Sequence, residues 1–245
     1  MSDFFYNLGR NMGRKTVPAL RKGKWIWRSL TGSEEEVLRA EIELGKSMAT
    51  ELRAVSEPCA DPELSAFVNG LCQTLSACVR DKRRRFYCEV IRESFPNAIA
   101  LPGGYIFISH TLLQLCECNP DEIAFVLAHE MAHILEGHAW DRMLNDAALR
   151  MASVVASRAG AAGNWLQQKG MLLLRSAFSQ DSEKEADRLG VRHVVAAGYD
   201  PFGAVRLFQR LETIVEQRGE LGQYFASHPS PAERRARIVA QIRAL

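Results

Sequence analysis

Apolar residues along this 245-residue chain recur mostly every three or four positions, the spacing of helices that bury one stripe. In "WIWRSLTGSEEE", Ser33 and Glu36 form a capping box and predict a helix over 34–56. Asp61-Pro62, an N-cap followed by proline at the first helical position, opens a second helix. "RFYCEVIR" (85–92) alternates and is rich in β-formers, which predicts a strand. "FPNAIALPGGYIFISHTLL" (95–113) reads as an extended piece, a Gly-Gly turn, another strand and the start of a helix. Asn119-Pro120-Asp121-Glu122 is a further capped start. An Ala-rich helical pair is expected over 143–178, interrupted at "AGAAGN". "DSEKEADRLGVRHVVAAG" predicts a helix capped by Asp181 or Ser182 and stopped by Gly198, and "DPFGAVRLFQRLETIVEQRG" the next one. Ser230, with Glu233 reaching back, caps the last. The pattern is that of an α+β chain, mainly α-helical with one small β-sheet. It divides into an N-terminal segment over 1–32 and a single domain over 33–245.

Composition changes this picture little, because 47% apolar and 24% charged residues with a net charge of +2 are ordinary for a soluble globular protein. No nucleic-acid partner is expected from so small a charge. Charge distribution says more: Arg10, Arg14, Lys15, Arg21, Lys22, Lys24 and Arg28 face a single acid, Asp3, in residues 1–30. Phe4, Phe5, Leu8 and Met12 recur there at helical spacing, and Trp25 and Trp27 follow. That mixture suits a peripheral contact with a membrane surface, or a basic strap packing its tryptophans on the domain. The start "MSDFFYNLGR" lacks a long apolar stretch, and no uninterrupted apolar window of about 18 residues occurs, so no signal peptide or spanning helix is expected. Cys59, Cys72, Cys78, Cys88, Cys116 and Cys118 form no CxxC pair and read as reduced thiols. A cytoplasmic location follows as the expectation, with residues 1–30 able to meet the inner face of a membrane.

The chemistry concentrates in "HEMAHILEGH" (129–138). Four residues of helix turn about 400°, so His129 and His133 project about 40° apart and can share one zinc ion. Glu130 is rotated by about 100° from His129, borders the site, and can take a proton from a zinc-bound water. His138 lies about 140° further round the same helix than His133, which argues against a third ligand. It reads as a structural histidine paired with Asp141 or Arg142. The third ligand is expected in "SEKEADRLG". There Glu183 and Asp187 form an i, i+4 pair on a stripe shared with Ala186 and Gly190, small residues that let another helix approach. Glu185 projects to the opposite, solvated side. Glu183 is therefore the candidate ligand, and Asp187 the acceptor orienting an imidazole N–H. A cysteine ligand from upstream, Cys88, is a minor alternative of the kind peptide deformylases use.

Together these residues resemble the gluzincin metallopeptidases of the HtpX heat-shock protease and CAAX prenyl protease family. The likeness extends beyond "HEMAH" and "EKEAD" to "FPNAIALPGGYIFISHTLL" and to "SHPSPAERR" (227–235), in order, from about residue 60 to the C-terminus. It implies a zincin-like domain whose sheet lies next to the active-site helix. His129, His133 and Glu183 would hold one zinc ion, with Glu130 as general base and acid. From the resemblance, the stretch from Asn97 through Gly103, Gly104 and Tyr105 to Ser109 is the strand beside which a substrate lies. His228 is the candidate to bind the oxyanion or to cover the zinc. His110, at the end of that strand, departs from the family pattern. Membrane members carry spanning helices between the zinc helix and the glutamate. Here that stretch is interrupted by Asp146, Arg150, Arg158 and Lys169, which favours a soluble hairpin. The implied activity is hydrolysis of peptide or unfolded-protein substrates. The alternative is a zinc-stabilised binding or chaperone-like protein with a covered, inactive site.

Overall fold

The computed structural model describes residues 33–141, 178–218 and 231–245. The basic segment 1–32, nearly all of the hairpin expected over 143–178, and both His228 and Ser230 lie outside the described residues. The chain forms two units, Met1–Glu41 and Ile42–Leu245. Helix α1 spans Glu34–Val55 and begins with the expected capping box: the Ser33 amide donates to Glu36 Oε2 at 2.9 Å, and the Glu36 amide to Ser33 Oγ at 3.4 Å. Helix α2 covers Pro62–Ala77, with Asp61 accepting from the amides of Glu63 and Leu64.

A two-residue strand that the sequence pattern did not predict, β1 (Glu57–Pro58), precedes the expected ones: β2 (Tyr87–Arg92), the extended piece as β3 (Ala98–Leu101), and β4 (Tyr105–Ser109). Their spatial order is β1-β2-β4-β3, with β2 and β4 parallel and the outer pairs antiparallel. The pleat sends Cys88, Val90, Ala98, Ala100, Ile106 and Ile108 into the main core. Ile91, Ile99, Leu101 and Phe107 face the other side, packing with Met48, Ala49 and Leu52 of α1 and with Phe178. The turn Pro102–Gly104 uses two positive φ angles, 75° at Gly103 and 102° at Gly104. A Cβ at Gly104 would stand 1.8 Å from the Arg85 carbonyl oxygen, so no other residue fits there.

This topology corrects one expectation. Strand β4, taken as the strand beside which a substrate adds, is paired on both sides, residue for residue, with β2 and β3. A substrate strand has no backbone groups left to meet there. Among the described residues β3 is the outer strand on that side, and it packs against the helix that carries the histidines.

That helix is α4, Pro120–Leu135, reached from β4 through the short α3 (His110–Leu115). Asn119 accepts from the amides of Asp121 and Glu122, and every residue from Glu122 to Ile134 is buried. A helix buried all round sits centrally: α4 packs between the sheet, α2, α5 (Gln180–Ala196) and α6 (Phe202–Arg218). Its start is pinned by charge. Asp121 receives Arg206, and Glu122 receives Arg210 at 3.0 Å. Helix α5 is capped by Ser179, not by Asp181 or Ser182, because the helix begins a turn earlier than its acidic run implies. The chain closes with α7, Pro231–Ile242, lying on α6 and α5. No helix among the described residues is long and apolar enough to cross a membrane. The architecture is α+β and mainly helical, with one small mixed sheet.

Candidate metal centre

Four residues of regular α4 bring His129 and His133 together, Nε2 to Nε2 at 3.1 Å with ring planes 81° apart. Helix α5 packs closely on α4 because its facing stripe is small. A Cβ at Gly190 would stand 3.3 Å from the His129 amide nitrogen and 3.4 Å from its Cα. One turn before Ala186 and one after it on that packed face come Glu183 and Gly190, so the glutamate is delivered to the imidazoles. Glu183 Oε1 lies 3.3 Å from His133 Nε2, and its Oε2 3.6 Å from His129 Nε2. Among the described residues this is the one group of three His, Cys, Asp or Glu donors near enough to share an ion. Cys88, the alternative ligand, lies in the core beside Cys72 and outside this group.

The donor set fits zinc. Bonds of about 2.0–2.2 Å in a tetrahedral site place donor atoms about 3.3–3.6 Å apart, close to the 3.1, 3.3 and 3.6 Å found. His129 Nδ1 faces Asp187 Oδ1 at 3.2 Å. A carboxylate only accepts, so Nδ1 carries the proton and Nε2 presents a lone pair to Glu183. Two imidazole nitrogens and a carboxylate converging in a site where each side chain is 3% exposed or less suit a cation. Glu130, beside His129 on α4, is buried to the same degree.

Arg234 is the residue that sequence reasoning missed. Reaching in from α7 and 1% exposed, it grips Asp187 with two bonds, Nε to Oδ2 at 3.0 Å and Nη2 to Oδ1 at 2.6 Å. Its Nη1 stands 3.1 Å from Glu183 Oε2, and its guanidinium lies 4.8 Å over the Phe208 ring. Burial pushes the Asp187 carboxyl upward. The Arg234 charge and the hydrogen bonds from His129 and Arg234 outweigh burial and hold it well below the usual carboxylate range. One signal was present: Arg234 occupies the stripe of Ile238 and Ile242 in the last helix, a charge where an apolar residue is expected.

His138 does not stand where the straight-helix extrapolation put it. Helix α4 ends at Leu135, Glu136 is its C-cap, and Gly137 takes a φ of 70°, turning the chain back. His138 Nδ1 comes to 3.0 Å from His133 Nδ1, and its Nε2 to 3.6 Å from Glu185 Oε2. Glu185 thus keeps one side in solvent, as expected, while the other faces this histidine. Phe178 stacks on His133, with centroids 4.0 Å apart. Asn97 precedes β3, where it exchanges bonds with Ser109: its amide donates to Ser109 Oγ at 2.8 Å and its carbonyl accepts from the Ser109 amide at 2.9 Å. Gly103, Gly104 and Tyr105 lead into the interior strand β4. His110 begins α3, half-buried, and His228 lies outside the described residues.

Comparison with known proteins finds relatives and a family for this chain. A beta-barrel assembly-enhancing protease of Yersinia pestis is 28% identical over 209 residues, 79% of this chain and 42% of its own length. The Escherichia coli protein of the same name is 26% identical over 211 residues, 80% of this chain and 42% of its own. The mitochondrial metalloendopeptidase OMA1 of Schizosaccharomyces pombe is 33% identical over 153 residues, 61% of this chain and 44% of its own. The matched part thus spans less than half the length of these relatives. Residues 58–242, three-quarters of the chain and all the site residues named above, match peptidase family M48, so the chain belongs to that family.

Proposed function

We propose that the chain is a zinc-dependent endopeptidase hydrolysing peptide bonds in extended or unfolded protein segments, with His129, His133 and Glu183 holding one zinc ion. The observation that carries this is the approach of two imidazole nitrogens and a carboxylate to 3.1–3.6 Å, one residue from the buried Glu130. A bound zinc ion supplies Lewis acidity to the scissile carbonyl and lowers the pKa of the attacking water. Glu130 is the general base and acid: its carboxylate takes the water's proton and returns it to the leaving amine. Asp187 accepts from His129 Nδ1–H and keeps Nε2 bare. The outer side of β3, next to α4, takes the substrate as an added antiparallel or parallel strand, its backbone held by main-chain bonds. His228 donates to the oxyanion, on the strength of its His-Pro context, and His228→Ala then lowers kcat with little change in KM.

The test is casein cleavage by purified protein. Cleavage should stop with a zinc chelator and return with zinc, and Glu130→Gln should keep its zinc and cut nothing. Undiminished cleavage by Glu130→Gln would sink the assignment. Burial of all three ligands supports a second possibility, a covered site that binds segments without cutting them. Chelator-insensitive casein binding with no cleavage would favour it.

A further inference from the structure

We propose that His138 is a positioning residue of the metal centre: it accepts the Nδ1 proton of His133 and so holds that imidazole with Nε2 bare toward His129 and Glu183. This rests on the zinc assignment above and adds to it a partner for the second histidine.

Two imidazole nitrogens 3.0 Å apart must share one proton. Two arrangements satisfy this contact. In one, His138 donates to His133 Nδ1, which leaves the proton of His133 on Nε2, aimed at His129 Nε2 only 3.1 Å away. That arrangement blocks the metal position. In the other, His133 donates from Nδ1, its Nε2 is bare, and the proton of His138 sits on Nε2. Glu185 selects between them. Its Oε2 is 3.6 Å from His138 Nε2, too long for a direct bond but close enough for its charge to favour the Nε2–H tautomer. The carboxylate therefore biases His138 to accept, and His138 biases His133 to bind.

The arrangement parallels the other ligand. His129 is held by Asp187, itself gripped by Arg234, while His133 is held by His138 beneath Glu185. Both partners meet the Nδ1 side, opposite the nitrogens that converge on Glu183. His138 cannot be a ligand itself, because its near nitrogen is engaged with the outer nitrogen of His133. Gly137 makes the contact possible: its φ of 70° turns the chain sharply after α4 and folds His138 back under the helix end. Phe178, stacked on the face of the His133 ring, leaves the ring little rotational freedom.

The experiment measures zinc affinity by chelator competition for wild type, His138→Ala, His138→Phe and His138→Asn. The melting of each zinc-free form is recorded alongside. Losing an outer partner of a ligand histidine costs about 10- to 100-fold in affinity. His138→Ala and His138→Phe should both show that loss, whereas His138→Asn, whose Oδ1 replaces the accepting nitrogen, should recover most of it. In the zinc-loaded protein, the proton NMR signal of His133 Nδ1–H should persist in His138→Asn and broaden or vanish in His138→Phe. Wild-type affinity in folded His138→Ala and His138→Phe overturns the proposal and leaves the ligand set intact. Recovery by phenylalanine in place of asparagine also overturns it, since packing would then be the cause. Wild type that binds no stoichiometric zinc overturns both the proposal and the ligand set.

Discussion

Replacing Arg234 by methionine removes a charge from a place where water cannot substitute for it. Arg234 is 1% exposed and Glu183 and Asp187 are 0 and 3% exposed, so both carboxylates lose their shared cation without gaining solvent. Breaking a buried ion pair by deleting one partner costs about 3–5 kcal/mol. For a unit of about 200 residues this lowers Tm by roughly 6–20 °C. Zinc changes the balance. Counted as ionised, Glu130, Glu183 and Asp187 carry three negative charges against one on Arg234, an excess of two that a zinc ion matches. Arg234→Met should therefore lose more stability in the zinc-free protein than in the zinc-loaded one. Arg234→Lys, which keeps the charge but not the two-pronged grip on Asp187, should fall between. Calorimetric melting with zinc and with a chelator measures both effects. A zinc-free Arg234→Met protein melting within about 2 °C of wild type would refute the charge argument, as would equal losses in the two forms.

Other outcomes follow from the same geometry. Glu183→Ala should lose zinc and cleavage together, read by metal content and casein hydrolysis, whereas Glu130→Gln should separate the two. Gly190→Leu forces α5 away from the His129 backbone, where even a Cβ stands at 3.3 Å, and should lower both Tm and zinc affinity. The Asp187 carboxyl is held below its ordinary value in the folded protein, so its contribution is complete above the unfolded pKa of about 3.9. It is lost as pH falls below about 4 toward the folded value. Asp187→Asn should therefore flatten the acid limb of the urea-unfolding stability curve below about pH 4. If residues 1–30 meet a membrane, their removal should abolish sedimentation with anionic liposomes, and equal binding by both forms would remove that idea.

Local chemistry was legible in the sequence wherever a few neighbouring residues decide it. The caps at Ser33, Asp61 and Asn119 act within three or four residues, and helices start there. His129 with His133, and Glu183 with Asp187, are set by the pitch of single helices, and small residues at 186 and 190 announce close packing. Features that depend on a break or on distant chain were less legible. His138 was placed by extending α4 as a straight rod, but Gly137 ends the rod and reverses its side. Ser179 displaced the expected cap of α5, since several polar residues in a row offer competing starts. Strand β4 was expected to border the substrate, yet pairing between strands is settled by tertiary topology. Arg234 meets Asp187 across 47 residues, a contact no local pattern encodes.

Zinc K-edge X-ray absorption of purified wild-type protein reads the proposed ligand set directly. One zinc ion per chain, with two imidazole nitrogens and carboxylate or water oxygens at about 2.0–2.2 Å, is the predicted spectrum. Loss of one imidazole contribution in His133→Ala should follow. A sulfur contribution near 2.3 Å would contradict the account, because it would bring a cysteine into the site. An environment unchanged by His129→Ala, His133→Ala and Glu183→Ala would do the same.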